Sequence, residues 1–172
     1  MYALILPTPL LKNEVLDLVA EYEAAGESRI AEKSEMIHAD FDGYIEELRQ
    51  IELGLGLQPG HVPSTTYWLV DDERRILGVL RLRHWLTPRL ERVYGHIGYD
   101  VRPSERRKGN GTIMLGLGLE RARELGLKRV LVTCDVDNIA SARIIEHNGG
   151  ILENQVQPPG YDKPVRRYWI EL

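Results

Sequence analysis

Val101-Arg102-Pro103-Ser104-Glu105-Arg106-Arg107-Lys108-Gly109-Asn110-Gly111-Thr112 joins two segments of different periodicity. Upstream, Tyr94 to Val101 reads as a strand. Downstream, Thr112 to Leu125 carries apolar residues at helical spacing. Pro103 ends strand pairing, because it lacks an amide hydrogen and its φ is locked. Gly109 and Gly111 have no β-carbon, so another molecule can come close to their amides. Arg106, Arg107 and Lys108 add positive charge, and the first turn of the helix adds unpaired N–H groups. Strand, basic glycine turn and helix N-terminus together read as a site for an anionic, phosphate-bearing ligand, the alternative being a solvated basic turn whose glycines serve geometry alone.

Two other phosphate loops are excluded by spacing. A Walker A loop needs Gly-x-x-x-x-Gly-Lys-Ser/Thr, which is absent. A dinucleotide loop needs Gly-x-Gly-x-x-Gly, but Thr112-Ile113-Met114 follows Gly109-Asn110-Gly111, so the third glycine is missing.

Working outward, residues 2–6 read as a strand, and helical spacing covers residues 13–25 and 42–55. Residues 65–70 and 76–83 flank Asp71-Asp72-Glu73 as a hairpin. Pro88 marks a loop. Residues 129–134 form a buried strand, residues 138–148 a helix, and residues 151–153 and 165–172 two closing strands. The expected fold class is α/β (α+β-like): a single domain over residues 1–172, with a mixed central sheet of about seven strands and about four helices. The β-α-β passage through residues 94–134 supplies the parallel crossover.

A net charge of −4 over 172 residues leaves no global field for nucleic acid or an anionic membrane. The single cysteine, Cys134, excludes an intramolecular disulfide and a multi-cysteine metal site. No stretch approaches the ~18 apolar residues of a membrane span. The expectation is a cytoplasmic protein with no nucleic-acid or membrane partner and no metal.

The strand ending in Val101-Arg102-Pro103, followed by Arg106-Arg107-Lys108-Gly109-Asn110-Gly111, resembles motif A of the GNAT superfamily of acyl-CoA-dependent N-acetyltransferases. Asn138-Ile139-Ala140-Ser141-Ala142-Arg143-Ile144-Ile145 through Gly149-Gly150 is similar to the family's second helix, Asn-x-x-Ser-x-x-Leu-Tyr-x-x-x-Gly-Phe. The tract from Gly95-His96-Ile97-Gly98-Tyr99 to Gly150 further resembles a bacterial subgroup of acetyltransferases.

The resemblance implies acetyl-CoA as cosubstrate. Its pyrophosphate would lie on Arg106, Arg107, Lys108, Gly109, Asn110, Gly111 and Thr112. Its pantetheine arm would lie where two parallel strands splay, Tyr99 to Val101 against Leu131 to Thr133, with Asn138, Ser141 and Arg143 beside it. The implied reaction is direct attack of a primary amine on the thioester in a ternary complex. The acceptor is a small-molecule or protein amine, and the assembly a homodimer, as in similar proteins.

Two positions depart from the pattern. The usual acid, a tyrosine, is Ile145, and the first glycine of the family's turn is Arg107. His96 is a candidate base, with an unperturbed pKa of about 6.5, and Tyr99 a second catalytic candidate. Tyr94 and Cys134 stand behind them. His38, His61 and His84 lack metal-ligand spacing with acidic partners. Acceptor recognition falls to the N-terminal helices and His84-Trp85-Leu86-Thr87-Pro88. Glu32, Glu35, Asp40, Asp42, Glu46 and Glu47 form either an acidic wall for a cationic amine or a solvated helix face. Two alternatives stay open: a non-catalytic acyl-CoA-binding or regulatory module, and transfer of a different acyl group.

Overall fold

The computed structural model describes residues 1–27 and 33–172; Glu32 lies outside them. Seven strands form one sheet: β1 (Ala3–Ile5), β2 (Ser64–Val70), β3 (Ile76–Arg83), β4 (Ile97–Val101), β5 (Arg129–Asp135), β6 (Ile151–Val156) and β7 (Val165–Glu171). Their spatial order is β1-β2-β3-β4-β5-β7-β6. Only β4 and β5 are parallel; every other neighbouring pair is antiparallel.

The described residues contain six α-helices: α1 (Lys12–Ala24), α2 (Ser34–Ala39), α3 (Phe41–Leu53), α4 (Pro88–Val93), α5 (Asn110–Glu124) and α6 (Ile139–His147). The sequence reading had about four and missed the short α2 and α4. For α4 the signal was present: Thr87 caps the helix by accepting from the Leu90 amide, and Pro88 occupies the first turn. Tyr94 therefore ends α4, and the strand begins at Ile97 instead of Tyr94.

Each face of the sheet buries its own core. On α1, Val15, Leu18, Val19 and Tyr22 recur at helical spacing and meet Trp68, Val70 and Ile76. On the other face, Met114, Leu115 and Leu119 of α5 cover Leu80, Leu82, Ile97 and Val132. The β4-α5-β5 crossover thus sits across the middle of the sheet, with the glycine turn at the C-terminal end of β4.

Arg102 ties α1 to the sheet just beyond β4. Its side chain is 3% exposed, and its Nε donates to Glu21 at 2.7 Å. Its Nη1 donates to Glu14 at 3.0 Å and to the Ile76 carbonyl at 3.1 Å. Glu21 also accepts from the Ser104 amide at 3.1 Å. A guanidinium fork can hold two carboxylates and a carbonyl at once, which an ammonium cannot do with this geometry.

Burial opposes ionisation of Glu21, but the bonds from Ser104 and Arg102 outweigh it and hold its carboxyl below the usual range. A depressed folded-state pKa stabilises the fold above the unfolded value and loses that contribution as pH falls through the folded one. Urea melts will therefore show stability declining as pH drops below about 4.5. Arg102→Met will cost about 1–3 kcal/mol at neutral pH and flatten that acid limb.

Candidate active site

The turn after β4 presents amides rather than charges. Gly109 caps α5 in the left-handed region at φ 85°, and a β-carbon there would meet open space. Among the described residues, none of the amides from Arg107 to Gly111 donates to another group, whereas Thr112 and Ile113 both donate to the Gly109 carbonyl. A run of free N–H groups at the start of a 15-residue helix is an anion cradle.

Most of the turn's cations are already paired. Arg106 donates from Nη1 and Nη2 to Glu27 at 2.6 and 2.7 Å, and from Nε to the Val101 carbonyl at 3.0 Å. Its guanidinium also lies over the Tyr22 ring. Lys108 pairs with Glu105 at 3.0 Å. Arg107 is exposed and forms no ion pair among the described residues. Arg143 is likewise exposed on α6 without an ion pair among them. Gly111 differs from Gly109: a β-carbon there would stand 2.6 Å from Ile144. Its missing side chain lets α5 and α6 close together, whereas the sequence reading had assigned it to ligand approach. Asn110 is buried, and its side-chain nitrogen donates to the Glu105 carbonyl.

Between β4 and β5 the ladder holds a single position, Ile97 opposite Val132. Beyond it the strands part. The β3–β4 pairing, with Arg102 donating to Leu77 and Arg83 donating to His96, turns the backbone groups of Tyr99 and Val101 toward the gap. The β5–β7 pairing, with Val136 donating to Pro164, turns those of Thr133 and Asp135 toward it from the other side. The opening therefore runs from Tyr99–Val101 to Thr133–Asp135. Leu131, expected within it, lies in the closed part, because its amide donates to Nδ1 of His96 at 3.0 Å.

A cleft of about 460 Å³ occupies the opening, lined by Gly98, Tyr99, Cys134, Asn138 and Ser141 near α6, and by Tyr94 and Tyr161 at its far end. Asn138 caps α6 through its side-chain oxygen, which accepts from the Ser141 amide. The hydroxyls of Tyr99 and Ser141 are 2.8 Å apart. Burial pushes the Tyr99 phenol up to about 12, against the lowering effect of Ser141, so it stays protonated at neutral pH. Tyr94 and Tyr161 share a hydrogen bond between their hydroxyls.

His96 is buried at the closed end of the opening, outside the cleft lining. Burial first, then Arg83 and Arg129, bring its pKa down to about 4. Trp85 is 53% exposed and is not part of the cleft wall. Asp40 caps α3 and Glu47 pairs with Lys33, so these two carboxylates serve the helices. The described residues hold no cluster of metal-ligating side chains, and no described helix is long and apolar enough to cross a membrane.

Arg107 has φ 61°, a conformation that costs a side-chain-bearing residue about 1–2 kcal/mol. Arg107→Gly will raise stability in thermal melts by roughly 1 kcal/mol. It will leave the amide cradle's anion affinity within about twofold, since a glycine reaches the same φ unstrained.

A family model described as an acetyltransferase (GNAT) domain matches residues 18–151. Similar solved structures include an acetyl transferase from Salmonella typhimurium that modifies the N-terminal serine of a 50S ribosomal subunit protein. It is 18% identical, covers 99% of this chain and 95% of its own, and has a TM-score of 0.69. A spermidine N-acetyltransferase chimera from Vibrio cholerae and hSSAT is 15% identical over 99% and 94% of the two chains, with a TM-score of 0.65. A microcin C7 self-immunity acetyltransferase in complex with acetyl-CoA and AMP is 17% identical over 99% and 92%, with a TM-score of 0.64. At these identities the structures establish a shared fold. No curated protein matches the sequence. The family match covers α5, α6 and the parting strands between them, and the chain belongs to the GNAT acetyltransferase family.

Proposed function

We propose that this chain transfers the acetyl group of acetyl-CoA to a primary amine of a small molecule or a protein, by direct attack within a ternary complex. The observation that carries the reading is the parted β4–β5 pair, whose inward backbone groups lead to the free amides of Arg107–Gly111. The amides hold the pyrophosphate. The pantetheine arm lies in the opening and bonds to the backbone of Tyr99, with Asn138 and Ser141 alongside. Arg106 acts through its backbone and its grip on the Val101 carbonyl, because Glu27 already neutralises its charge. Arg107 and Arg143 add an exposed positive fringe, Lys108 lies beside it paired with Glu105, and Thr112 lies behind the cradle.

The Val101 N–H points into the opening and is positioned to donate to the oxyanion that forms on the thioester carbonyl. Tyr99 passes its proton to the departing thiolate, and the proton that the attacking amine sheds restores the phenol through solvent in the cleft. Tyr99 replaces the tyrosine the family carries at the position of Ile145, which is fully buried in the core. The burial of Ile145 also favours a second reading, a module that binds acyl-CoA without turning it over. A cytoplasmic setting fits a chain whose one cysteine is a free thiol.

Calorimetric titration with acetyl-CoA tests the cradle. Gly109→Val will weaken binding by at least about tenfold, because a branched side chain strains the left-handed cap and crowds the amides. Equal affinity in the two proteins would sink the assignment. Tyr99→Phe will lower kcat about a hundredfold with acetyl-CoA affinity within about twofold. Wild-type binding without acetylation of any amine in a library would favour the non-catalytic module.

A further inference from the structure

The tract Gly95-His96 clamps the start of β4 onto β5, just behind the Ile97–Val132 pair beyond which the strands part. A β-carbon on Gly95 would stand 2.4 Å from the Leu131 carbonyl oxygen, and Gly95 has φ 64°. The backbones touch here, and only glycine fits. The His96 amide donates to the Leu131 carbonyl at 2.7 Å. The returning bond is not made by the backbone of β4. The Leu131 amide donates instead to Nδ1 of the His96 ring at 3.0 Å, and the Gly95 carbonyl accepts from the Arg83 guanidinium at 3.1 Å. Thr133 adds a third side-chain link, donating from its hydroxyl to the Val93 carbonyl at 2.6 Å. The Leu131 amide and the Gly95 carbonyl, which a continued ladder would pair with each other, are thus taken by side chains. The closed end of the opening therefore leaves neither the Leu131 amide nor the Gly95 carbonyl unpaired.

We infer that His96 is a positioning residue: its ring accepts the Leu131 amide in place of the ladder, and so sets the apex of the opening and the depth to which a thioester enters it. The inference rests on acetyl-CoA lying in that opening. A ring whose Nδ1 accepts must carry its proton on Nε2 to be neutral. Neither nitrogen is then available to take a proton from an amine while the bond stands. The charged groups facing the ring are Arg83 on β3 and Arg129 on β5; both are cations and oppose a second ring proton. The ring also lies against Trp169 of β7. The neighbourhood therefore keeps His96 neutral and accepting.

The test compares three variants with the wild type. The side-chain oxygen of His96→Asn reaches the place of Nδ1. His96→Gln moves its acceptor toward the place of Nε2, and His96→Leu has none. Nitrogen NMR of the wild type will show an Nε2–H tautomer at pH 7. Leu131 amide exchange will be slow in the wild type and in His96→Asn, and at least about tenfold faster in His96→Gln and His96→Leu. Acetyl-CoA affinity will follow the same order, within about twofold for Asn and weakened about tenfold for Gln and Leu. Loss of affinity in His96→Asn equal to that in His96→Leu would overturn the inference. So would an Nδ1–H tautomer, or unchanged Leu131 exchange in all variants. Tautomer and exchange report on the clamp without any ligand. A wild type that fails to bind millimolar acetyl-CoA would remove the cosubstrate reading and the link from clamp to thioester, while the two NMR readouts still decide whether the clamp exists.

Discussion

The hydrogen bond from the Leu131 amide to the His96 imidazole closes the end of the β4–β5 contact from which the two strands open. A parallel pair in the centre of a domain ordinarily continues its ladder, because every buried amide needs a partner. Here a ring, a guanidinium and a threonine hydroxyl take up the groups at the junction. Beyond the Ile97–Val132 pair the strands diverge, and inward-facing amides and carbonyls are left without a partner strand. The rest of the site follows from that divergence. The cleft and the Tyr99 hydroxyl lie beside the opening, and the amide cradle follows the end of β4.

Electrostatics plays a different part from the one that the basic run implies. Arg106 looks like a phosphate ligand in a linear reading, yet it and Arg102 are both bound to carboxylates of α1 and the residues just after it. Their work is mechanical. Two forked side chains anchor the first long helix to the turn and hold the turn's backbone in a shape that leaves its amides unpaired. The left-handed Arg107 belongs to the same arrangement. Its strain persists because the flanking residues are held on both sides.

The departures from the family pattern become intelligible in three dimensions. Ile145 faces the core of α6 against the sheet, where a hydroxyl would find no solvent. Tyr99, on the strand opposite, brings a phenol to Ser141 on the same helix. In the proposed reaction the proton donor therefore comes from β4 rather than from α6. The spacing of a motif records where a side chain sits along the chain, whereas the chemistry depends only on where its atoms end up.

Strand order along the chain, the four longer helices, the crossover and the glycine turn were legible in the sequence, because each depends on periodicity or on turn residues close together. Thr87-Pro88 carried a readable cap for α4, and a loop reading of Pro88 misplaced the start of β4. Other features could not be read, since they depend on groups far apart in sequence. Glu27 neutralises Arg106 from 79 positions away, and Leu131 meets His96 across 35. The packed role of Gly111 rests on Ile144, a residue of another helix. The sequence by itself determined which segments could be strands, helices and an anion-binding turn, since those properties follow from neighbours within a few residues. Only the tertiary structure decided which cations stay free, where the strands part and which tyrosine reaches the opening. Pairing and burial are settled by contacts that exist only once the chain has folded.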